Sequence, residues 1–598
     1  MTAFQNRLKA LRQAMIEHGV NACLIASADP HLSEYLPEHW QIRRWLTGFT
    51  GSVGTVIVTA DQAALWVDSR YWVQAERELH GSGFALERIQ SALDQSFIQW
   101  LDRHVSRPGV VAVDGRTLSV SGFEALRAAL DDGISIRLDL DLPGQVWQER
   151  PALPFAPVVQ LAPDIACQSR VDKLSAVGQR MRMHGASHHL ISTLDDVAWV
   201  LNLRGSDVQF NPVFLGHLLI SEYHVRLFVD LKKMDAGLRQ SLLDDGVELA
   251  DYDQVTNALE ALHDTDRLLF DPRRTVCALL GSSRAVQVRA SNPTTLLKSC
   301  KSDAELVNWR DVMRRDGAAL CEFFVWLEDA VERRADQRLD ELMIDRELTA
   351  RRSAKQGFVS RSFSTIAAYR SNGAMPHYQA TEQSHAVIEG SGLLLIDSGG
   401  QYQGGTTDIT RMVAVGDLTE NERADCTAVL SAMIAMSRLR FPEGIAAPLI
   451  DAVARAPLWG RLLDYGHGTG HGVGYFLNVH EGPQVLSYRA PIHPDMALRA
   501  GMVTSNEPGL YRPGQWGVRI ENLVCCRVAG QSEFGSFLEF ETLTLCPIDT
   551  RCVLPQMLRA DELVWLNDYH REVRKQLEPL LCGKALQWLL ARTEPLSL

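Results

Sequence analysis

Leu393-Leu394-Leu395-Ile396-Asp397-Ser398-Gly399-Gly400-Gln401-Tyr402-Gln403-Gly404-Gly405-Thr406-Thr407-Asp408-Ile409-Thr410-Arg411 is the stretch from which the fold can be read. The aliphatic run predicts a buried strand that ends on a carboxylate. A Gly-rich turn follows, and a second run from Asp408 to Val415 opens with another carboxylate. Strand, turn and strand predict a hairpin that sets Asp397 beside Asp408. Two carboxylates at close range do not both stay ionised unless something positive lies between them. Hydrogen bonds from Arg or Ser would serve, and so would a metal; as turn residues, the two Asp would simply satisfy backbone donors. The rest of the chain has to decide.

Six of the 18 histidines fall between His377 and His493. His467 and His471 stand in Gly466-His467-Gly468-Thr469-Gly470-His471-Gly472-Val473-Gly474, and His480 in Asn478-Val479-His480-Glu481-Gly482-Pro483. Two histidines four apart in a stretch so poor in side chains suggest a backbone shaped to admit a ligand. Thr504-Ser505-Asn506-Glu507-Pro508-Gly509 sets Glu507 just before a turn. Val518-Arg519-Ile520-Glu521-Asn522 predicts a strand with Arg519 and Glu521 on one face, either as an ion pair or as a ligand carboxylate oriented by a cation. Asp397, Asp408, His471, Glu507 and Glu521 then form a hard set of four carboxylates and one imidazole. Such a set needs about two divalent cations for neutrality and suits manganese, cobalt or zinc over copper. Two metals sharing a bridging hydroxide make a hydrolase template.

The bulk properties exclude other classes. A net charge of -13 argues against a general nucleic-acid binder, and no apolar run approaches the ~18 residues of a membrane span. The start, Phe4 to Arg12, reads as an amphipathic helix and not a signal peptide. Eleven cysteines without a Cys-x-x-Cys pair suggest reduced thiols in the cytosol and leave the metal to oxygen and nitrogen.

Along the chain, Leu8, Leu11 and Met15 mark a helix ending near Gly19, and strands are expected at Ala22–Ala26, Gly54–Val58 and Ala63–Asp68. Pro151, Pro154, Pro157 and Pro163 mark a linker. A helix over Leu174–Met183, a run at His189–Ser192 and paired strands at Gly216–Ser221 and Val225–Leu231 then repeat the first pattern, which implies duplicated α/β modules. Ser302-Asp303-Ala304-Glu305 is a capping box opening a long helix with Leu306, Trp309, Met313, Leu320, Phe324 and Leu327 on its face. The expected division is 1–160, 161–297 and 298–598, with a helical extension from about 550.

Residues 300–545 resemble the pita-bread catalytic domain shared by methionine aminopeptidase, prolidase, creatinase and aminopeptidase P. The motifs occur in order: Asn372–Tyr378, Asp397 and Asp408, Gly466–Gly474, Asn478–Pro483, Asn506–Gly509 and Arg519–Asn522. Arg44–Thr55, Asp68–Tyr71 and Asp195–Gly205 are similar to the N-terminal modules of the long, three-domain, cytosolic-type Xaa-Pro aminopeptidase branch. The fold implied is mixed α/β and α+β, two similar N-terminal α/β modules followed by a pita-bread domain.

The resemblance implies removal of an N-terminal residue that precedes proline, through a dinuclear metal-bound hydroxide, with two manganese ions and a homodimer in the cytoplasm. It carries the metal ligands onto Asp397, Asp408, His471, Glu507 and Glu521, with Glu507 also a general base and Arg519 behind the ligands. It assigns His377 and His480 to the scissile carbonyl and gem-diolate, and His467 to the proline-side pocket. The substrate amine would meet metal or Asp397, and Arg70 would reach the substrate, in its own or a neighbouring subunit. Tyr475, bulkier than expected, and Gly400, commonly Ala, depart from the pattern and bear on substrate preference. A prolidase-type dipeptidase would cut Xaa-Pro dipeptides alone. A creatinase-like enzyme would lack the metal set, and a non-catalytic peptide-binding scaffold would have lost ligands.

Overall fold

The computed structural model describes residues 2–90, 94–281 and 283–597. The chain forms two compact units, Met1–Pro163 with Gln168–Thr295, and Asp164–Cys167 with Leu296–Leu598.

The first unit holds two six-stranded sheets of identical plan. One runs Ala85–Arg88, Ala63–Val67, Thr55–Thr59, Ala22–Ile25, Gly109–Val113, Ile134–Arg137; the other runs Val247–Ala250, Val225–Phe228, His217–Ser221, His188–Ile191, Arg267–Phe270, Val286–Arg289. Both are antiparallel across their second, third and fourth strands and parallel elsewhere, so the expected duplication is present in topology. Alternation explains the packing of the first sheet: Val56 and Val58 face one apolar cluster with Leu11 and Leu65, while Ile57 faces another with Val111 and Leu101. A helix opens each module, Ala3–Glu17 with a Thr2–Gln5 capping box and Arg170–Met183 capped by Ser169. The run Ala198–Leu201 closes a helix, Leu194–Leu201, ended by Asn202 in the left-handed conformation.

This unit also buries polar groups that pair with one another. Lys233 Nζ lies 2.7 Å from Asp207 Oδ2, both buried. His31 stacks on His217 with ring centroids 4.5 Å apart, and its nitrogens lie 2.7 Å from the Ser192 carbonyl and 2.8 Å from the Tyr252 hydroxyl.

In the second unit the predicted hairpin forms the central and one edge strand of a three-stranded antiparallel sheet, Ile366–Tyr369, Gly392–Ser398, Ile409–Val415. Leu393, Leu395 and Met412 pack against Cys426, Val429 and Met433 of the helix Glu420–Ser437. Leu394, Ile396 and Val413 pack against Leu320, Phe324 and Leu327 of the helix Asp303–Glu332. Helices on both faces are why the run is continuously aliphatic instead of alternating with polar residues. The Ser302–Glu305 capping box forms as expected. A six-stranded sheet, Arg440–Pro442, Gly535–Thr542, Asn522–Ser532, Val503–Asn506, Gly470–Gly472, Glu481–Leu486, supplies the other wall. Helices Ala560–Leu577 and Gly583–Arg592 close the chain, with Pro579 in the turn between them. Among the described residues, no helix is long and apolar enough to cross a membrane.

Candidate metal centre

The hairpin register sets the two aspartates. Asp397 pairs with Thr410 and Ser398 with Ile409, so Asp408 lies one residue beyond the last pair. Gly399 is required there, because a Cβ would overlap the Thr407 carbonyl and Ser362 Oγ. Asp397 and Asp408 are both buried.

The six-stranded sheet brings the remaining residues. Asn506 pairs with Asn522, and the two-stranded ladder beyond begins at Gly509 opposite Arg519. Glu507 and Glu521 occupy the break between these ladders, one on each of the two paired segments. Glu521 is thus outside a regular strand, and the expected same-face pair with Arg519 does not form. Thr410 clips it in place instead: Thr410 Oγ1 donates to Glu521 Oε2 at 2.8 Å and the Thr410 carbonyl accepts from Glu521 N–H at 3.2 Å. His471 lies on the neighbouring strand and its N–H donates to Ser505 Oγ, which donates to Glu507 Oε1 at 3.1 Å. Gly470 and Gly472 do not open space for a ligand. A Cβ at either would strike the carbonyl of Ser505 or Glu481, so they let neighbouring backbones close in.

The His471 Nδ1–H donates to the Gly472 carbonyl at 3.0 Å, and Nε2 lies 3.4 Å from Glu507 Oε1 and 3.6 Å from Asp408 Oδ2. Ligand atoms of Asp408, His471 and Glu521 all lie within 4.8 Å of one another. Burial, then repulsion from Asp397 and Glu507, pushes Asp408 well above the carboxylate range. Burial, then Asp408 and Glu507, does the same to Glu521. Glu507 is pushed up to about 7, mainly by burial, with Arg519 opposing. The guanidinium of Arg519 donates to Asp397 Oδ2 at 2.5 Å, to the Tyr511 hydroxyl at 2.7 Å and to Thr410 Oγ1 at 3.2 Å. Asp397 Oδ1 stays buried with no hydrogen-bond partner among the described residues. An imidazole nitrogen facing carboxylates, an orphaned carboxylate oxygen and a crowd of buried acids are what a divalent cation would satisfy.

Of the other expected residues, His480 sets its ring edge-on to His471, centroids 4.3 Å apart, and His467 Nε2 lies 2.8 Å from the Tyr511 hydroxyl. His377 is half-buried on the turn after the short helix Arg370–Ala374. That turn is anchored by the fully buried Glu341, which accepts from Tyr369 N–H, Asn372 Nδ2, the Tyr378 hydroxyl and Ala386 N–H. Arg70 belongs to the first unit, where Nε and a terminal nitrogen grip Asp68 at 2.8 and 2.7 Å. Sequence reasoning missed Thr410, Ser505, Tyr511 and Glu341; only Thr410, opposite Asp397 in the predicted hairpin, left a signal. The departure at Tyr475 also has an explanation. Its hydroxyl donates to the Ile165 carbonyl at 3.0 Å and accepts from Asn308 Nδ2 at 2.9 Å, fastening 164–167 to this unit.

Comparisons with known proteins agree with this arrangement. Residues 308–527 match the family model described as metallopeptidase family M24, and 536–596 match the C-terminal region of peptidase M24. Residues 7–139 and 149–305 each match a creatinase/prolidase N-terminal domain. The chain is 35% identical to Xaa-Pro aminopeptidase 1 of Dictyostelium discoideum, over 99% of this chain and 97% of that one. It is 36% identical to Aminopeptidase P2 of Arabidopsis thaliana, over 99% and 88%. The crystal structure of X-prolyl aminopeptidase from Caenorhabditis elegans, described as a cytosolic enzyme with a di-nuclear active site, superposes with a TM-score of 0.93 at 30% identity, over 100% of both chains.

Proposed function

The chain belongs to metallopeptidase family M24, within its Xaa-Pro aminopeptidase branch, and from that membership we propose how its own residues carry the reaction. It is a metal-dependent aminopeptidase that hydrolyses the N-terminal Xaa-Pro bond of peptides. Asp397, Asp408, His471, Glu507 and Glu521 hold two divalent ions, with manganese the occupant that best suits so hard a donor set. When bound, the metal supplies an activated water and polarises the scissile carbonyl. The observation that supports this most is the unpartnered, buried Asp397 Oδ1 beside a group of donor atoms within 4.8 Å of one another.

Glu507 accepts the proton released during attack and passes it on, steadied by Ser505 Oγ at 3.1 Å. His377 and His480 stabilise the charge that develops on the carbonyl oxygen. His467 lines the side that receives proline, oriented by Tyr511, and Arg519 fixes Asp397 through a charge-assisted bond. The substrate's terminal amine meets the metal or Asp397, which restricts cleavage to the first residue. Arg70 reaches the substrate from its own or a neighbouring subunit. The domains run 1–160, 161–297 and 298–598, and the enzyme works as a homodimer in the cytoplasm. The net charge of -13 argues against nucleic acid as a partner, and the partners are peptides with proline second.

Metal analysis by mass spectrometry, alongside cleavage of an Xaa-Pro-Xaa tripeptide with and without chelator, tests the reading. We expect manganese at two equivalents per chain, turnover of the tripeptide, and loss of turnover in chelator. Cleavage of the Xaa-Pro dipeptide alone would make it a prolidase-type enzyme, and a protein that takes up no divalent ion would overturn the ligand assignment.

A further inference from the structure

At the tip of the hairpin that carries Asp397 and Asp408, Gln401 and Thr406 are register partners on facing strands, both with no exposed surface. Side chains directly opposite across a ladder stand on one face. Both reach the same residue on another segment. Gln401 Nε2 donates to the Leu477 carbonyl at 2.7 Å, and Thr406 Oγ1 accepts from the Leu477 N–H at 3.3 Å. The Thr406 hydroxyl proton has Gln401 Oε1 at 2.8 Å and the Leu477 carbonyl at 3.2 Å as acceptors. Both backbone groups of Leu477 are thus held by side chains from the carboxylate hairpin.

Leu477 lies three residues before His480. Leu477 itself sits in a tight turn: Gly474 N–H donates to the Asn478 carbonyl at 2.9 Å, and Phe476, just before it, has a φ of 48°. Beyond His480 the chain is fixed again, since the Glu481 carboxylate lies 2.5 Å from Lys301 Nζ and 3.8 Å from Lys298 Nζ, all three buried. His480 therefore sits on a short span clamped at both ends, and one clamp is part of the hairpin that bears two of the acids. Any shift of that hairpin moves Asp397, Asp408 and His480 together.

We propose that Gln401 and Thr406 are positioning residues that couple the carboxylate hairpin to His480, so that the oxyanion-side imidazole and the acids keep one geometry. This rests on the reading of His480 given above. The hydrogen bonds of the clasp run to Leu477 and between the two side chains, so losing it leaves metal content and KM unchanged while kcat falls.

The test is a double-mutant cycle on the holoenzyme with an Xaa-Pro-Xaa tripeptide. Thr406→Val, which keeps shape and loses the hydroxyl, lowers kcat roughly 10- to 100-fold, the range for partners that orient an active group. Thr406→Ser restores it. In a His480→Ala background, Thr406→Val costs nothing further, because the group it acts through is gone. Should Thr406→Val fail to fold, Gln401→Met removes the donor to Leu477 at similar volume and enters the same cycle. Equal losses in the parent and His480→Ala backgrounds, or a Thr406→Val enzyme with parental kcat, would overturn the proposal. A parent chain with no tripeptide turnover would instead bring down the reading of the site itself, and this inference with it.

Discussion

In the N-terminal unit Lys233 is buried against Asp207 at 2.7 Å, and the His31–His217 stack is tied to Ser192 and Tyr252. In the catalytic unit Asp397, Asp408, Glu507 and Glu521 crowd together against the guanidinium of Arg519, and three of the four are held above their ordinary range. Both interiors are polar, and both are enclosed by apolar side chains. They differ in balance. A buried charge with its own counter-charge closes on itself and gives only structure, whereas an unmatched set is costly unless something arrives to complete it. That contrast locates the chemistry more sharply than burial alone.

Glu521→Gln tests the contrast with the largest effect. A neutral isostere replaces a carboxyl whose charged form burial and its neighbours disfavour, so the melting temperature in chelator stays level or rises. Turnover, measured on an Xaa-Pro-Xaa peptide, falls by more than the ~10²–10³-fold that loss of one transition-state donor costs. Full activity would sink the metal assignment. A large drop in the chelated melting temperature would show that the acids are structural after all.

Asp207→Asn is the mirror experiment. It strands Lys233 and weakens the contact Asp207 makes to Leu215 N–H at 2.8 Å. Breaking one side of a buried pair costs about 3–5 kcal/mol, so denaturant unfolding should weaken by that order, while activity per folded molecule is unchanged. An Asp207→Asn protein as stable as the parent would remove the distinction between the two interiors.

Titration should separate the two regions by sign. In the metal-free protein Glu507 is raised from 4.5 to about 7 by burial, so its contribution is fully present below 4.5 and is lost as pH climbs through 7. His189, with no exposed surface and its Nδ1 3.0 Å from the Leu269 carbonyl, is lowered from 6.5 to about 4 by burial. Its contribution is present above 6.5 and is lost as pH falls towards 4. Hydrogen exchange in chelator would then show the strands around Glu507 loosening from pH 5 to 8 and the second N-terminal sheet loosening from pH 6.5 to 4. Loading with metal should abolish the first trend and leave the second. Parallel behaviour in both units would refute the contrast.

How much of this the sequence discloses depends on range. The hairpin is legible because an aliphatic run, a glycine turn and a second run are neighbours in the chain, and the duplicated modules are legible because the pattern recurs. The five candidate ligands are legible as residue types in order. Their fastening is not: Arg519 meets Asp397 across 122 residues and Thr410 across 109, and a local window points it at Glu521. Glycines 470 and 472 mislead similarly, since only the neighbouring strands reveal what their missing side chains make room for. His31 meets Ser192 across 161 residues, so the closed polar interior of the first unit has no signature in sequence at all.

The smallest effect concerns the border between the two regions. Residues 164–167 follow the proline-rich passage, yet they pack with the catalytic unit, and Tyr475 holds them there through Ile165 and Asn308. As a bulky departure from the family pattern, Tyr475 invites the view that it narrows the substrate site. Its hydroxyl instead donates to Ile165 on the linker and accepts from Asn308 on the long helix, and its ring leans on Trp309 at 6.0 Å. Tyr475→Phe keeps that ring and removes the hydroxyl, at a cost of about 1 kcal/mol for one net hydrogen bond. The expected outcome is a slightly lower melting temperature with KM unchanged across tripeptides that differ in their first residue. Asn308 also donates to the Asp164 carbonyl at 2.9 Å, so the segment remains attached and the change stays small. A KM that moved with the first residue, at parental stability, would assign Tyr475 to substrate and leave the linker held by Asn308.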